Sequence, residues 1–148
     1  MSRVLVVDDN PDIRLLVSTI LEDEGYQVQV AIDGRDALRI LETENPDVIV
    51  LDVMMPEMDG YSVLRQLRAT GRAAKSRVLM LTAKNNEADW LRGYQSGANQ
   101  YLTKPFDPDE LIAAVEKLLR MDPSALTNHR QEELDRAQLL SRLESLLG

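Results

Sequence analysis

The chain has 148 residues, of which 44% are apolar, and this size and composition suit one globular unit. Its formal charge of −8 argues against direct binding to nucleic acid or anionic lipid, because both need clustered Lys and Arg. No apolar run approaches the ~18 residues of a membrane helix, Arg3, Asp8 and Asp9 interrupt any secretory signal, and the absence of cysteine fits the cytoplasm.

The first part of the chain alternates strand and helix patterns. Residues 3–7 form an apolar strand that stops at Asp8-Asp9-Asn10-Pro11, where a capping side chain and a first-turn proline open a helix. That helix has the apolar stripe of a helix lying on a sheet, formed by Ile13, Leu16, Val17, Ile20 and Leu21. Residues 26–31 alternate apolar with polar and are therefore expected near a sheet edge. Ala37, Leu38 and Leu41 mark a second helix.

Residues 46–52, Pro-Asp-Val-Ile-Val-Leu-Asp, are a run of apolar β-formers that ends in a carboxylate. Such a run suits a strand buried on both faces, and it delivers Asp52 to the rim of the sheet. An isolated Asp after a strand is usually a turn or helix-cap residue. Asp52 is not isolated, and we take it as the reacting residue.

The second part continues the alternation. After loop residues 55–60, a helix carries Val63, Leu64 and Leu67, and residues 78–82 form another continuous apolar strand. A helix ending at Gly97 and a short strand at 100–103 follow. Asp107 to Glu110 then have the order of a capping box and begin the next helix.

Five strands separated by helices predict an α/β fold, a doubly wound parallel sheet in the flavodoxin-like order 2-1-3-4-5, with helices on both faces. Ligands of such sheets sit outside the carboxyl ends of the strands. Those ends here carry Asp8, Asp9, Asp52, Thr82 and Lys104. Converging carboxylates raise each other's pKa unless a cation intervenes, and an oxygen-ligand site of this kind suits Mg²⁺. For Asp8 and Asp9 the simpler role is helix capping, which we rank below metal binding.

Residues 2–120 resemble the receiver domain of two-component response regulators. The resemblance rests on Val7-Asp8-Asp9, Leu51-Asp52-Val53-Met54-Met55-Pro56-Glu57-Met58-Asp59-Gly60, Leu81-Thr82-Ala83 and Tyr101-Leu102-Thr103-Lys104-Pro105-Phe106. Each fragment alone is weak. Together, in this order and at strand ends, they are highly specific.

The resemblance implies that Asp52 takes a phosphoryl group from a sensor histidine kinase or phosphotransfer protein, in a Mg²⁺-dependent reaction. By the same resemblance, Asp9, Asp52 and the backbone carbonyl of Met54 bind the metal directly, while Asp8 acts partly through water. Lys104 would pair with Asp52 at rest and with a phosphoryl oxygen afterwards. The resemblance also implies a cis peptide bond between Lys104 and Pro105.

A switch is implied as well, in which Thr82 donates its hydroxyl to the phosphoryl group and Tyr101 turns inward behind it. Without the resemblance both are ordinary strand residues. The surface of the fourth helix, fifth strand and fifth helix would contact a partner through Trp90, Tyr101 and Ile112. Trp90 lies off the apolar stripe of its helix, and we expect it to be exposed.

We predict a receiver domain at 1–121 and a linker with an amphipathic helix at 122–148, the helix itself spanning 128–147. This tail is too short for a DNA-binding or catalytic output domain. His129 is most simply a surface residue. Because the receiver core closes without the tail, we expect either a weak homodimer or a linker to a missing output domain or downstream protein. The dimer seam would contain Leu140, Leu143 and Leu147.

Two other functions fit the same residues. A Mg²⁺-dependent phosphohydrolase with an aspartyl nucleophile uses similar Asp, Thr and Lys groups, but the chain has no insertion large enough for a substrate-covering lid. A phosphorylation-independent scaffold is disfavoured because the whole acceptor set is present. We therefore expect a signalling phosphoacceptor and not an enzyme of metabolic turnover.

Overall fold

The computed structural model describes residues 2–83 and 87–147, without the side chains of residues 87–90. The strands β1 to β5 are Arg3–Val7, Gln27–Ala31, Val48–Asp52, Arg77–Thr82 and Gln100–Thr103. The helices α1 to α6 are Pro11–Asp23, Gly34–Ile40, Gly60–Thr70, Glu87–Gln95, Pro108–Arg120 and Pro123–Leu147.

The strands form one parallel sheet in the order β2-β1-β3-β4-β5, which confirms the predicted fold class. Every residue of β3 is buried, whereas β2 at the edge keeps Val30 exposed. Side chains alternate between two cores, one on each face of the sheet. Leu5 and Ile49 lie in the first core, and Val4 and Val48 in the second.

Helix α1 confirms the predicted apolar stripe with one exception. Val17 and Leu21 are buried against the sheet, but the side chain of Leu16 is 49% exposed. The buried stripe of α1 is therefore narrower than the apolar pattern of its sequence.

Helix α6 packs along α4 of the same chain, so the expectation that the tail serves a dimer or a linker because the receiver core closes without it missed this contact. It begins at Pro123, five residues before the predicted start, and Ala137 is buried. His129, predicted to be a surface residue, is also buried, and its Nε2 lies 2.7 Å from the side-chain oxygen of Gln100. Arg130 donates two hydrogen bonds to the carbonyl oxygen of Tyr94 at the end of α4. Leu126, Leu134 and Ala137 pack toward the two cores, and the hydrogen bonds of His129 and Arg130 add to this apolar contact.

The leucines toward the end of α6 remain exposed, namely Leu139, Leu143, Leu146 and Leu147. The homodimer proposed for this face stays a prediction. Among the described residues, no helix is both long enough and apolar enough to cross a bilayer.

The contact of His129 with Gln100 predicts a pH-dependent stability. Burial and the charge of Lys117 lower the pKa of His129 below 6.5, while Glu133 and Glu132 oppose them. The unfolded chain therefore binds this proton more readily than the folded chain. The contribution of His129 to the free energy of unfolding should be complete above pH 6.5 and should be lost as the pH falls below that value.

Urea unfolding of the wild type and of His129→Gln, across this pH range, measures the effect. Gln keeps a polar side chain beside Gln100 but does not titrate, so its midpoint should fall less steeply. The difference between the two chains removes the common titration of the carboxylates. Asn128→Gln at the exposed neighbouring position is the control and should follow the wild type. Parallel curves for wild type and His129→Gln would contradict the assignment.

Candidate functional site

Three strands bring the predicted site residues together at their carboxyl ends. Asp8 follows β1, Asp52 ends β3 and Lys104 follows β5. Asp8 and Asp52 are only 2% and 3% exposed, whereas Asp9 is exposed. They border a cavity of about 230 Å³ that also includes Met54. The sheet order therefore places buried carboxylates beside a small opening to solvent.

Asn10 caps α1, which leaves the two preceding aspartates for other roles. Its side-chain oxygen accepts hydrogen bonds from the N–H groups of Asp12 and Ile13, at 2.9 and 3.3 Å. Asp8 accepts the N–H of Asn10 at 2.9 Å with one oxygen, and its other oxygen faces Lys104. Capping by Asn10 removes the simpler explanation for the pair of acids.

Lys104 lies between the two buried carboxylates. Its Nζ is 3.2 Å from Asp8 Oδ2 and 3.3 Å from Asp52 Oδ1. Its backbone N–H donates to the carbonyl of Thr82 at 2.7 Å, which extends the pairing of β4 with β5 by one residue. The Lys104-Pro105 peptide bond is cis, as predicted. One ammonium group thus contacts both carboxylates from a fixed backbone position.

The pKa of Asp52 is raised to about 6 by burial and by the charge of Asp8. Lys104 and the N–H of Met54, which donates to Asp52 Oδ1 at 3.3 Å, act in the opposite direction. Burial and carboxylate repulsion outweigh this compensation. Asp52 therefore carries its charge at a cost, as expected for converging carboxylates without a divalent cation.

The three aspartates fit a hard divalent cation. One oxygen from each of Asp8, Asp9 and Asp52 lies within 4.8 Å of the others. Carboxylate oxygens are ligands that Mg²⁺ takes in proteins, usually one or two of them together with water. Asp9 is exposed, which leaves room for the waters that Mg²⁺ retains. Met54, whose carbonyl was predicted as a ligand, borders the same cavity.

Gly60 fixes the backbone beneath Asp52. A Cβ placed on Gly60 would overlap the carbonyl oxygen of Asp52 and lie 3.0 Å from the Cα of Val53. Gly60 also donates its N–H to the carbonyl of Val53 at 2.9 Å. Asp59 caps the helix that starts here, by accepting the N–H of Ser62 at 2.9 Å. The chain after β3 therefore returns to the backbone of Asp52 at Gly60, where no side chain prevents the close approach.

The predicted switch residues lie behind the site. Thr82 ends β4 and is fully buried. Tyr101 is also buried, and its hydroxyl lies 2.8 Å from the hydroxyl of Tyr61. The ring of Tyr101 lies 2.5 Å from where a Cβ of Gly93 would be, so the ring occupies space that only glycine leaves open. The ring of Tyr101 is thus turned inward.

Tyr61 was missed by sequence reasoning. It is buried in the first turn of α3, and the guanidinium of Arg92 lies 4.4 Å from its ring centroid. Its sequence context is an ordinary helix start, and only the tertiary contact with Tyr101 distinguishes it.

The predicted partner surface is only partly described. Ile112 is half-buried on α5, and Tyr101 is too buried to offer much surface in this conformation. The prediction for Trp90 concerns a side chain outside the described residues. Gln100, next to Tyr101, is bound by His129 of α6. Part of this face is therefore covered by the chain's own last helix.

The family profile of the response regulator receiver domain matches residues 4–116. Relatives include a DNA-binding dual master transcriptional regulator of Synechocystis sp., 48% identical over 81% of this chain and 50% of its own. Another is an alkaline phosphatase synthesis transcriptional regulatory protein of Bacillus subtilis, 48% identical over 80% of this chain and 48% of its own. The chain spans about half the length of these curated relatives.

A chemotaxis protein of Vibrio cholerae is similar in structure, with a TM-score of 0.77 and 38% identity. It covers 80% of this chain and 99% of its own. The prediction of no direct nucleic-acid binding is wrong, because the Synechocystis relative is a DNA-binding regulator. That prediction used the charge of this chain, which covers half of the relative and says nothing about the charge of the remainder.

Proposed function

This chain belongs to the response regulator receiver family of signalling proteins, and we propose that Asp52 is its phosphoacceptor, serving a sensor histidine kinase or a phosphotransfer protein. The observation that carries the proposal is the contact of Lys104 with both Asp8 and Asp52 beside an opening to solvent. A buried acid, a second acid and a cation are thereby held around one small volume. No larger substrate pocket is needed, because the kinase presents the phosphoryl group.

In the proposed reaction, a carboxylate oxygen of Asp52 attacks phosphorus and the phosphorus–nitrogen bond of the phosphohistidine breaks. The electron pair of that bond returns to the imidazole, and an acyl phosphate forms on Asp52. Lys104 moves its hydrogen bond from Asp52 to a phosphoryl oxygen, a change of partner within reach of its flexible side chain. Such transfer depends on alignment and charge neutralisation more than on acid–base chemistry.

Asp8, Asp9, Asp52 and the carbonyl of Met54 would hold Mg²⁺, which supplies charge neutralisation for the phosphoryl oxygens. Asp8 and Asp52 are buried and oriented by neighbouring N–H groups, so the carboxylates are placed before the metal arrives. Asp9 remains in solvent and offers the entry side.

The proposed switch couples Thr82 to the position of Tyr101. Thr82 would donate its hydroxyl to the phosphoryl group, and this would favour the inward position of Tyr101, in which its hydroxyl contacts that of Tyr61. A ligand that binds one of two conformations better shifts the population toward it. Because α6 holds Gln100 next to Tyr101, we propose that this helix responds to the same shift.

By likeness to the Synechocystis regulator, we propose that the output is transcription, through a DNA-binding region outside the matched half. The receiver would then act in the cytoplasm as a module that controls this output.

Intact mass spectrometry tests the acceptor function. After incubation with acetyl phosphate or phosphoramidate and Mg²⁺, the chain should gain the mass of one phosphoryl group, and EDTA should prevent the gain. These small donors bypass kinase recognition, so the measurement depends on the acceptor site alone. An unchanged mass with both donors at full Mg²⁺ occupancy would contradict the proposal.

A steady-state measurement separates the acceptor from a phosphohydrolase. Phosphate release from a simple phosphate ester should show no continuing turnover. Sustained turnover of such an ester would favour the enzyme class instead.

A further inference from the structure

A larger cavity lies near the amino end of β4, at the end of the sheet opposite to Asp52. Its volume is about 710 Å³, and it is bordered by α3, the start of β4, the end of α4 and the start of α6. Arg77 at this cavity opens β4, whereas Thr82 at the acceptor site ends it. The two cavities are therefore separated by the length of a strand.

The lining of this cavity is strongly cationic. It includes Arg68, Lys75, Arg77 and Arg130 and contains no Asp or Glu. In a chain with 25 acidic and 17 basic residues, such a grouping runs against the overall charge. Among the described residues, none of the four forms an ion pair with a carboxylate. Their charge is therefore left for a ligand.

Backbone carbonyls hold the three guanidinium groups in place without neutralising them. Arg77 donates to Met121 at 2.7 Å, and Arg68 donates to Gly97 at 2.9 Å. Arg130 donates to Tyr94 with two nitrogens. Each guanidinium has five N–H donors, so every one keeps donors beyond these bonds. The arginines are thus preorganised and only partly used.

Two features indicate a missing negative partner. The Nε of Arg77 is buried and has no hydrogen-bond partner among the described residues. A buried donor without a partner is unfavourable, because it has lost its bonds to water. In addition, burial and the charge of Arg130 lower the pKa of Arg68. An anion bound by the outer nitrogens of these side chains would relieve the repulsion and offset the cost of burying the Nε of Arg77.

The first turn of α6 also borders the cavity, but it is not needed to explain anion binding. Asp122 already accepts the N–H of Ala125 at 2.7 Å, so the first turn of the helix is capped. Asn99 also lines the cavity, and its side-chain oxygen is occupied because it accepts the N–H of Val78. What Asn99 can offer a ligand is therefore the donors of its amide.

We propose that this cavity binds a small phosphate-class anion, either inorganic phosphate or the phosphate of a small metabolite. The volume falls within the range of about 300–1,000 Å³ typical of small-molecule pockets. Arginine forks suit phosphate oxygens in particular. Since Arg130 belongs to α6 while Arg68 and Arg77 belong to α3 and β4, the bound anion ties the last helix to the receiver. Anion binding and docking of α6 therefore strengthen each other.

Thermal unfolding of the full Asp52→Asn chain in EDTA tests the site, because this background removes the acceptor aspartate and the metal. Potassium phosphate should raise the midpoint saturably, beyond potassium chloride of equal ionic strength. Adenosine monophosphate forms the second arm. Tighter binding than inorganic phosphate identifies a metabolite source, and equal binding identifies free phosphate.

Variants locate the effect. Lys75→Gln and Arg77→Gln should each weaken phosphate binding by about tenfold, since each removes a charge-assisted partner. Lys75 is exposed, so its variant keeps the test informative even if Arg77→Gln unfolds. Arg72→Gln is the control, because Arg72 lies outside this cavity and pairs with Glu42 at 3.6 Å.

Three results would overturn the proposal. The first is a phosphate effect no larger than that of chloride. The second is an equal loss in Arg72→Gln. The third is binding to an oligonucleotide without binding to either small anion, which would assign the surface to DNA.

Discussion

Asp52→Asn is expected to abolish phosphoryl acceptance and, in EDTA at neutral pH, to stabilise the folded chain. The loss follows because an amide oxygen cannot form the acyl phosphate. The gain follows from the pKa of Asp52, which burial and the charge of Asp8 raise to about 6 in the folded chain from its ordinary value of 3.8. Above both values the charged carboxylate is less stable in the folded chain than in the unfolded chain. Replacing it should raise the free energy of unfolding by about 1–3 kcal/mol.

The pH dependence has a definite sign. Because the folded chain binds the Asp52 proton more readily, the destabilisation is absent below pH 3.8 and complete above about pH 6. The advantage of Asp52→Asn in EDTA should therefore shrink as the pH falls through this window. Urea unfolding of both chains at several pH values measures it, and intact mass measures acceptance.

Asp23→Asn is the matched control, since Asp23 is an exposed carboxylate at the end of α1. It should accept phosphate as the wild type does and show no such gain in stability. If Asp52→Asn gained the phosphoryl mass, the acceptor would lie elsewhere. If it were less stable than the wild type in EDTA, the charge of Asp52 would not be the unfavourable group that its surroundings indicate.

Gly60→Ala is expected to slow phosphorylation by roughly 10- to 100-fold, because a displaced reacting group loses alignment. The new methyl group would meet the backbone of Asp52 and Val53, which is not the flexible end of a side chain. Either α3 moves away or Asp52 shifts. Overpacking of this kind costs about 1–3 kcal/mol of stability. The rate of phosphorylation by phosphoramidate and the urea midpoint measure the two effects.

Gly71→Ala separates site distortion from general destabilisation. Gly71 ends α3 with φ of +72°, and no atom lies within 4 Å of a Cβ built there. Alanine at this position costs about 1 kcal/mol through its backbone conformation and touches nothing near Asp52. It should lower stability yet keep the phosphorylation rate. Equal slowing in both variants would remove the special role of Gly60.

The strand-end residues could be predicted because their signals are local. A buried strand that ends in Asp52 and a strand followed by Lys104 are visible in single runs of sequence, and parallel pairing brings such ends to one edge. The inward ring of Tyr101 has no such signal. Its position depends on the hydroxyl of Tyr61 and on the open space at Gly93. Both are distant in the sequence and ordinary in type.

Helix α6 shows a different limit. Leu134 and Ala137 of its apolar face pack toward the receiver, whereas Leu139, Leu143, Leu146 and Leu147 stay exposed. Apolar periodicity identifies an apolar face but not the partner it packs against, and docking here also uses hydrogen bonds to Gln100 and Tyr94. A contact of that type depends on the partner's groups, which are 29 and 36 residues away in the sequence.

The docking of α6 also sets the direction of any segment attached to the end of this helix. His129 and Arg130 fix the roll of this helix against the receiver, and the helix then runs on to Leu147 with its far end in solvent. Each residue inserted beyond Ala137 would turn a segment attached after Leu147 by about 100° and advance it by about 1.5 Å. The direction of a segment fused to this end therefore depends more on the number of inserted residues than on the length that they add. Inserting three or four residues nearly restores the original direction. Inserting two residues turns the segment to the opposite side.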